Sequence, residues 1–195
     1  MAKSITKKLP RAFYRRPTLD VCRDLVGCRI VYNAPEGRLS ARIVEVEGYI
    51  GRDDPACHAA RGKTPRNSVM FGQPGFSYVY FIYGMYHCLN FVTEREGFPA
   101  AVLLRAAEPV EGIGMMRRRS PNGKEARILS GPGKFCRSFG LTRRQNGLDL
   151  TGDILYLAEQ HEAGAEIAQS RRIGIRQGQE LLYRFFDKNS RSVSG

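Results

Sequence analysis

Phe76-Ser77-Tyr78-Val79-Tyr80-Phe81-Ile82-Tyr83-Gly84-Met85-Tyr86 is the stretch that decides the fold. A run of strong β propensity from Phe76 to Tyr83 meets Gly84-Met85, a turn signal, and Tyr86 to Thr93 returns as a second strand. Ala100 to Arg105 supplies a third. Connections this short cannot hold a crossover helix, so the strands are expected to be antiparallel.

Upstream, Leu39, Ala41 and Ile43 alternate with Ser40 and Arg42, again strand periodicity. Period-two counting puts Glu45 and Glu47 on the same face as those apolar residues. Two carboxylates continuing an apolar face mark either an emerging strand end or a site. Gly48-Tyr49-Ile50-Gly51 is not a simple polar turn, which favours a site. Cys28 to Tyr32 reads as the preceding strand and Asn33 to Gly37 as the turn. Thr18 is expected to cap a helix through Leu25 that Gly27 stops. Pro10 to Arg16 reads as an extended basic lead-in.

Residues 51–75 are rich in Gly, Pro and Asp without periodicity, a long loop of the kind that carries function. Asp53 and Asp54 read as a solvated turn. Further on, Pro109 to Arg119 looks helical, and Gly131-Pro132-Gly133 opens another short helix that Gly140 ends. Ile154 to Leu157 reads as a strand, and Arg172 to Arg176 as a strand or tight loop. Leu181 to Phe186 is expected to pack back on the core. After Lys188 the Ser-rich tail is expected to fray. These readings give an α+β fold: a single domain over residues 1–195, with a lead-in at about 1–16 and a tail at about 188–195.

Composition narrows the function. Among 195 residues, 31 Lys and Arg stand against 19 Asp and Glu, a net charge of +12. Such an excess favours a polyanionic partner. A membrane surface would call for a basic amphipathic helix or a lipidation signal, and neither is found. No run of eighteen apolar residues exists to span a bilayer, and Lys3, Lys7 and Lys8 are followed by no signal-peptide core. The 42% hydrophobic content excludes a mainly disordered chain. Five scattered cysteines with no C-x-x-C pair fit neither a disulfide framework nor a zinc knuckle, so a reducing, cytoplasmic setting is expected.

Three constellations could carry chemistry. Glu45, Glu47, Asp53 and Asp54, with His58 behind them, could hold a divalent metal as in a nuclease, or supply a general base for attack on carbon. Spacing alone does not separate the two. The aromatics Tyr49, Phe71, Phe76, Tyr78, Tyr80, Phe81, Tyr83 and Tyr86 are mostly core and cross-strand packing. Tyr83, at a hairpin tip, has no sheet neighbour beyond it and could insert into a partner. Between Arg117 and Arg144 lie nine basic residues and one acid, Glu125; the tract suits sequence-independent phosphate contacts, with Gly131-Pro132-Gly133-Lys134 at a helix start. A noncatalytic nucleic-acid-binding module would use the tyrosines and the tract alone.

Taken in order, Val46 to Gly51, His58, Thr64-Pro65-Arg66-Asn67, Tyr78 to Tyr86, Asn90, Leu103 to Ala106, Glu108 to Gly112, Ser130 to Lys134 and Arg172 to Ile175 resemble the alkyladenine (3-methyladenine) DNA glycosylase family. The resemblance runs from about Pro10 to Phe186. It implies a curved antiparallel sheet with surrounding helices and a protruding β-hairpin that enters double-stranded DNA. The implied activity is base excision repair: extrusion of alkylated or deaminated purines, such as 3-methyladenine and hypoxanthine, and hydrolysis of the N-glycosidic bond. By motif, Glu47 matches the water-activating glutamate and Arg105 the arginine beside the reacting sugar. Tyr49, His58 and Tyr80 match the walls that stack on the flipped base, and Asn90 the residue that disfavours guanine. Tyr83 matches the wedge left in the duplex, and Arg66, Lys134 and Arg172 are expected at the DNA backbone. No metal or other cofactor is expected, no membrane, and a monomer. For Glu45 a structural or water-ordering role is the expectation. The protein is expected in the cytoplasm, at the nucleoid of a prokaryote or in the nucleus of a eukaryote.

Overall fold

The computed structural model describes residues 7–121, 127–159 and 165–194. Lys3 of the lead-in and Lys124 and Glu125 of the basic tract lie outside them. The fold is α+β, built on one antiparallel sheet. Its strands are β1 (Arg29–Ala34), β2 (Gly37–Ile50), β3 (Ser77–Ile82), β4 (Tyr86–Val92), β5 (Ala100–Glu111), β6 (Leu155–Ala158), β7 (Ile167–Ser170) and β8 (Arg184–Asp187). The order is β3-β4-β5-β2-β1-β6, with β8 pairing both β2 and β7. Short helices α1 (Arg11–Tyr14), α2 (Thr18–Leu25), α3 (Ile113–Arg119) and α4 (Pro132–Phe139) complete it.

The long strand β2 organises the sheet. Its first half pairs with β1 and its second half, Glu45 to Glu47, with β8, while β5 runs along the other edge. Ile43 faces Ala107 and Glu45 faces Ala106, so Val44 is an extra residue in β2; Glu45 to Val46 then spans Ala106 to Leu104, a compensating irregularity at Arg105. Such a bulge bends and twists a strand, and here it coincides with the change of partner that curls the sheet.

The bulge also overturns the period-two count. Leu39, Ala41 and Ile43 face the main core, but so does Val46, and a Cβ on Gly48 would meet Leu19 and Cys22 of α2 at 3.1 and 3.3 Å. Glu45, Glu47 and Tyr49 therefore point to the opposite face. The two glutamates do share a face, and it is not the apolar one.

The main core gathers Val21, Cys22 and Leu25 of α2, the inner faces of β1, β2 and β5, and Phe135 and Phe139 of α4, whose rings stack at 4.3 Å. All five cysteines are buried. Several local expectations are corrected. Pro10 to Arg16 is not wholly extended but includes α1. Thr18 does not cap α2: its N–H and hydroxyl both donate to Oε1 of Glu94, which closes the helix start from 76 residues away. β5 continues through Pro109 to Glu111, and the helix begins only after Gly112. Pro109 sits beside a β-bulge, since the register skips Val110 between Glu111 and Pro109, and bulges are among the sheet positions where proline is found. Of the two readings given for residues 172–176, strand or tight loop, the structure has the loop. Of Leu181 to Phe186 only Phe185 enters the core, and Leu182 is exposed. Among the described residues, no helix is long and apolar enough to cross a membrane.

Candidate active site

On the non-core face of β2, Glu45 and Glu47 are both completely buried. Burying two carboxylates so close together is costly unless each is paired and hydrogen-bonded. Arg105, delivered from β5 at its irregular position, lies between them: Nε donates to Oε1 of Glu45 at 3.1 Å and Nη1 to Oε2 of Glu47 at 3.2 Å.

The remaining partners differ. Glu47 accepts from the Tyr49 hydroxyl at 2.9 Å and from the Ile173 backbone N–H at 2.7 Å. Burial lifts its pKa above the ordinary carboxylate value; Arg105 and the two donors offset only part of that, and Glu45 adds to the rise. Tyr49, pushed up by burial and by Glu47, stays a protonated donor. Glu45 accepts from Arg184 Nε at 2.6 Å and from the N–H and hydroxyl of Ser194 at 2.6 and 2.9 Å. With Arg105 that makes four donors, three on Oε1 and one on Oε2. Glu47, with the raised pKa, is the one suited to exchange a proton.

A cavity of about 650 Å³ opens beside this pair, within the range of small-molecule sites. Tyr49, His58, Tyr80, Asn90, Arg105 and Ile173 line it, with Tyr83 at one rim and Lys134 at another. Glu47 stands just behind the wall made by Tyr49, Arg105 and Ile173. The loosest contact in that wall is the 3.5 Å from Arg105 Nη1 to the Ile173 carbonyl.

The aromatic walls are held by the loop and the hairpin. His58 Nδ1 and the Tyr78 hydroxyl are 2.9 Å apart, and the His58 and Tyr80 rings meet edge to face at 4.5 Å. Burial of that edge and the Arg66 charge hold the His58 pKa at about 4, so the ring is neutral near pH 7. Asn90 donates through Nδ2 to the Tyr78 carbonyl at 3.0 Å, which locks its orientation. In the long loop, Asn67 donates to the carbonyls of His58 and Gly62 and accepts from Thr64 N–H. Its sequence shows no period because these side-chain bonds, not a ladder, hold it.

Arg66 is exposed at the mouth, its guanidinium 5.2 Å from the Tyr80 ring centroid and bonded to the Phe81 carbonyl. Lys134 is exposed in the first turn of α4. That turn sits close on β4, since a Cβ on Gly133 would fall 2.8 Å from the Tyr86 ring. Tyr83 is 77% exposed with φ 54°, a left-handed conformation costly for a bulky side chain, and Met85 beside it is 62% exposed. The hairpin tip is an apolar projection with no intramolecular cover.

Three expectations fail here. Arg172 is not a surface cation: its side chain is wholly buried, bidentate to Asp54 at 2.6 and 2.7 Å and bonded to the Gly48 carbonyl. It backs the Tyr49 ring at 4.7 Å instead of reaching a phosphate. Asp54 accordingly is no solvated turn residue, while Asp53 is exposed. The tail is not frayed up to Ser194, for Ser192 and Ser194 are buried and Ser194 bonds Glu45. Ser194, Arg184 and the Ile173 N–H were missed in the sequence. A serine in a Ser-rich stretch and a backbone N–H carry no local signal. Arg184, one residue before the buried Phe185, could have been singled out as a cation entering a sheet. Among the described residues, no three His, Cys, Asp or Glu side chains are grouped to hold a metal ion.

A family model described as methylpurine-DNA glycosylase matches residues 12–191. A protein of Methanocella arvoryzae is 52% identical over 190 residues, covering 95% of both chains. One from Carboxydothermus hydrogenoformans is 47% identical over 188 residues, covering 95% of this chain and 98% of its own. A Wolbachia protein (subsp. Brugia malayi) is 49% identical over 177 residues, covering 91% of this chain and 95% of its own. All three carry the name of 3-methyladenine DNA glycosylase. Similarity at this level over nearly the whole length means that the chain belongs to the methylpurine-DNA glycosylase family.

Proposed function

We propose that this protein extrudes a damaged purine, alkylated or deaminated, from double-stranded DNA and hydrolyses its N-glycosidic bond, with Glu47 activating the water. As a family member it is a DNA glycosylase, a repair hydrolase of N-glycosyl bonds. The observation that carries the finer reading is the raised-pKa carboxylate of Glu47 set behind one wall of a cavity that Tyr49, His58 and Tyr80 line and that is large enough to admit a nucleotide.

A bond inside a duplex is reached only by taking the nucleotide out of the stack, at a few kcal/mol and less for a damaged base. Tyr83 fills the gap left behind. The flipped base enters between Tyr49, His58 and Tyr80, and a cationic alkylpurine gains from their π faces. Neutral His58 adds no repulsion against it. Asn90, locked by Tyr78, occupies the space that the 2-amino group of guanine needs. Water enters at the loose Arg105–Ile173 contact, where the Glu47 carboxylate accepts its proton as oxygen bonds to C1′. The C1′–N bond breaks, and its electron pair leaves with the base. A cationic base leaves neutral; a neutral one must gain a proton. Arg66 and Lys134 contact the phosphates. The protein works as one copy and one domain, in the compartment that holds the DNA.

The test is single-turnover excision from duplex DNA carrying one hypoxanthine or 1,N6-ethenoadenine, in EDTA, scored after alkali, with base release from methylated DNA alongside. Base loss in EDTA is the expected result. Tight binding without release from any substrate would make this a binding protein. Strand cutting that needs added metal and no alkali would make it a nuclease.

A further inference from the structure

Glu45 is a second buried carboxylate that the proposed chemistry leaves idle, and its ligands come from far along the chain. Ser194 gives it two of them. The same hydroxyl that donates to Oε1 of Glu45 accepts from Arg105 Nε at 3.2 Å and Nη2 at 3.1 Å. One donor and two acceptor positions are all a serine hydroxyl has, and all are used. The segment is fastened on both sides. Arg184 Nη2 donates to the Ser194 carbonyl at 3.0 Å, and the Ser130 hydroxyl, from the cavity wall, donates to the Val193 carbonyl at 3.3 Å. Ser192 N–H in turn bonds Ser190, whose hydroxyl donates to Glu108 at 2.5 Å.

From this arrangement we infer that Ser194 is a positioning residue for catalysis: it holds the Glu45 carboxylate and the far edge of Arg105 so that Nη1 of Arg105 stays on Glu47. The inference rests on Glu47 being the base. Arg105 has one edge on Ser194 and Glu45 and the other on Glu47. With the Ser194 hydroxyl gone, Glu45 lacks a donor and Arg105 an acceptor, and the shortest repair is for the guanidinium to turn further onto Glu45. Glu47 then loses its one direct cationic partner. The charged and titratable groups around the pair are Tyr49 on β2, Cys22 on α2, Arg105 on β5, Arg184 on β8 and Arg172 on its loop. Cys22 stays protonated by burial, and Arg172 is held by Asp54. Neither can replace Arg105.

The experiment compares wild type, Ser194→Ala and Ser194→Thr in full-length protein, by single-turnover excision of hypoxanthine across pH and by equilibrium binding to the same DNA. Ser194→Ala is expected to lower the excision rate about tenfold at pH 7, the worth of one hydrogen bond to a charged group. The acid limb of its profile is expected to move to higher pH, because Glu47 without its cation holds a proton more tightly. Binding stays within about twofold, and the hydroxyl of Ser194→Thr restores both rate and limb. A rate and limb unchanged in Ser194→Ala would overturn the inference, and so would a loss of rate with an unshifted limb or a matching loss of binding. Wild-type excision together with inactive Glu47→Gln stands apart from these results and tests the base assignment itself.

Discussion

Arg105 Nη1 stands 3.2 Å from Oε2 of Glu47 while its Nε holds Glu45, so one guanidinium serves two fully buried carboxylates. The arrangement leaves Glu47 short of full compensation. Its pKa is raised despite the ion pair, because burial outweighs half an arginine and two neutral donors. A carboxylate in that condition gains by taking a proton.

Replacing Glu47 with Gln keeps the shape and removes the basicity. Single-turnover excision should fall by at least ~10²-fold, the usual contribution of a general base. Binding of lesion DNA should persist, because the cavity walls are untouched. Near-normal turnover would end the assignment.

Excision should depend on pH with an acid limb above the ordinary glutamate range. Only the ionised Glu47 can accept a proton, so the rate falls as pH drops through the raised pKa. The same shift bears on stability: the folded state holds its proton more tightly than the unfolded chain, so this residue's contribution is most favourable below the unfolded pKa and is lost as pH rises through the folded one. Glu47→Gln should therefore be more stable than wild type near pH 7, with the gain fading in acid. Thermal denaturation against pH checks the sign.

Tyr83→Ala removes an exposed ring from a strained turn. We expect lesion-specific binding and excision to weaken about tenfold or more, from the loss of one stacking contact. Nonspecific duplex binding should hardly change. Equal losses in both, measured by fluorescence anisotropy on lesion and plain DNA, would argue against a wedge.

Lys134 and Arg172 should separate cleanly. Lys134→Ala is expected to reduce the salt slope of DNA binding by about one contact without affecting stability. Arg172→Ala leaves Asp54 buried without its partner, which should cost about 3–5 kcal/mol in denaturant unfolding. For the protein that remains folded the salt slope should be unaltered. A reduced slope in Arg172→Ala would return this residue to the DNA backbone.

Asn90→Ala opens the cavity where its locked amide stands. Release of guanine from undamaged DNA should rise relative to hypoxanthine by about tenfold, the scale set by one small group in a pocket. An unchanged ratio of the two rates would remove Asn90 from guanine exclusion.

Much of the fold was legible because strands and turns announce themselves locally. The β3–β4 hairpin follows from β propensity on either side of Gly84, and α4 from Gly131-Pro132-Gly133 and Gly140. The ordered motifs around Glu47, Tyr49, His58 and Asn90 identified the family, and the structure sets Tyr49, His58 and Asn90 in the lining of one cavity with Glu47 behind its wall.

The sequence by itself thus determined the segments of β1 to β6, though not the end of β5 and not β7 or β8, together with the charge excess and the family. Tertiary structure alone decided which face of β2 carries the glutamates, because a bulge at Val44 is created by pairing with β5 and leaves alternation within the strand looking regular. It alone decided that Arg172 belongs to Asp54, that Glu94 closes α2 and that Ser194 seats on Glu45. These contacts join residues 76 to 149 positions apart. A charged or hydroxyl side chain is soluble by composition and becomes buried only when the folded chain brings it a partner.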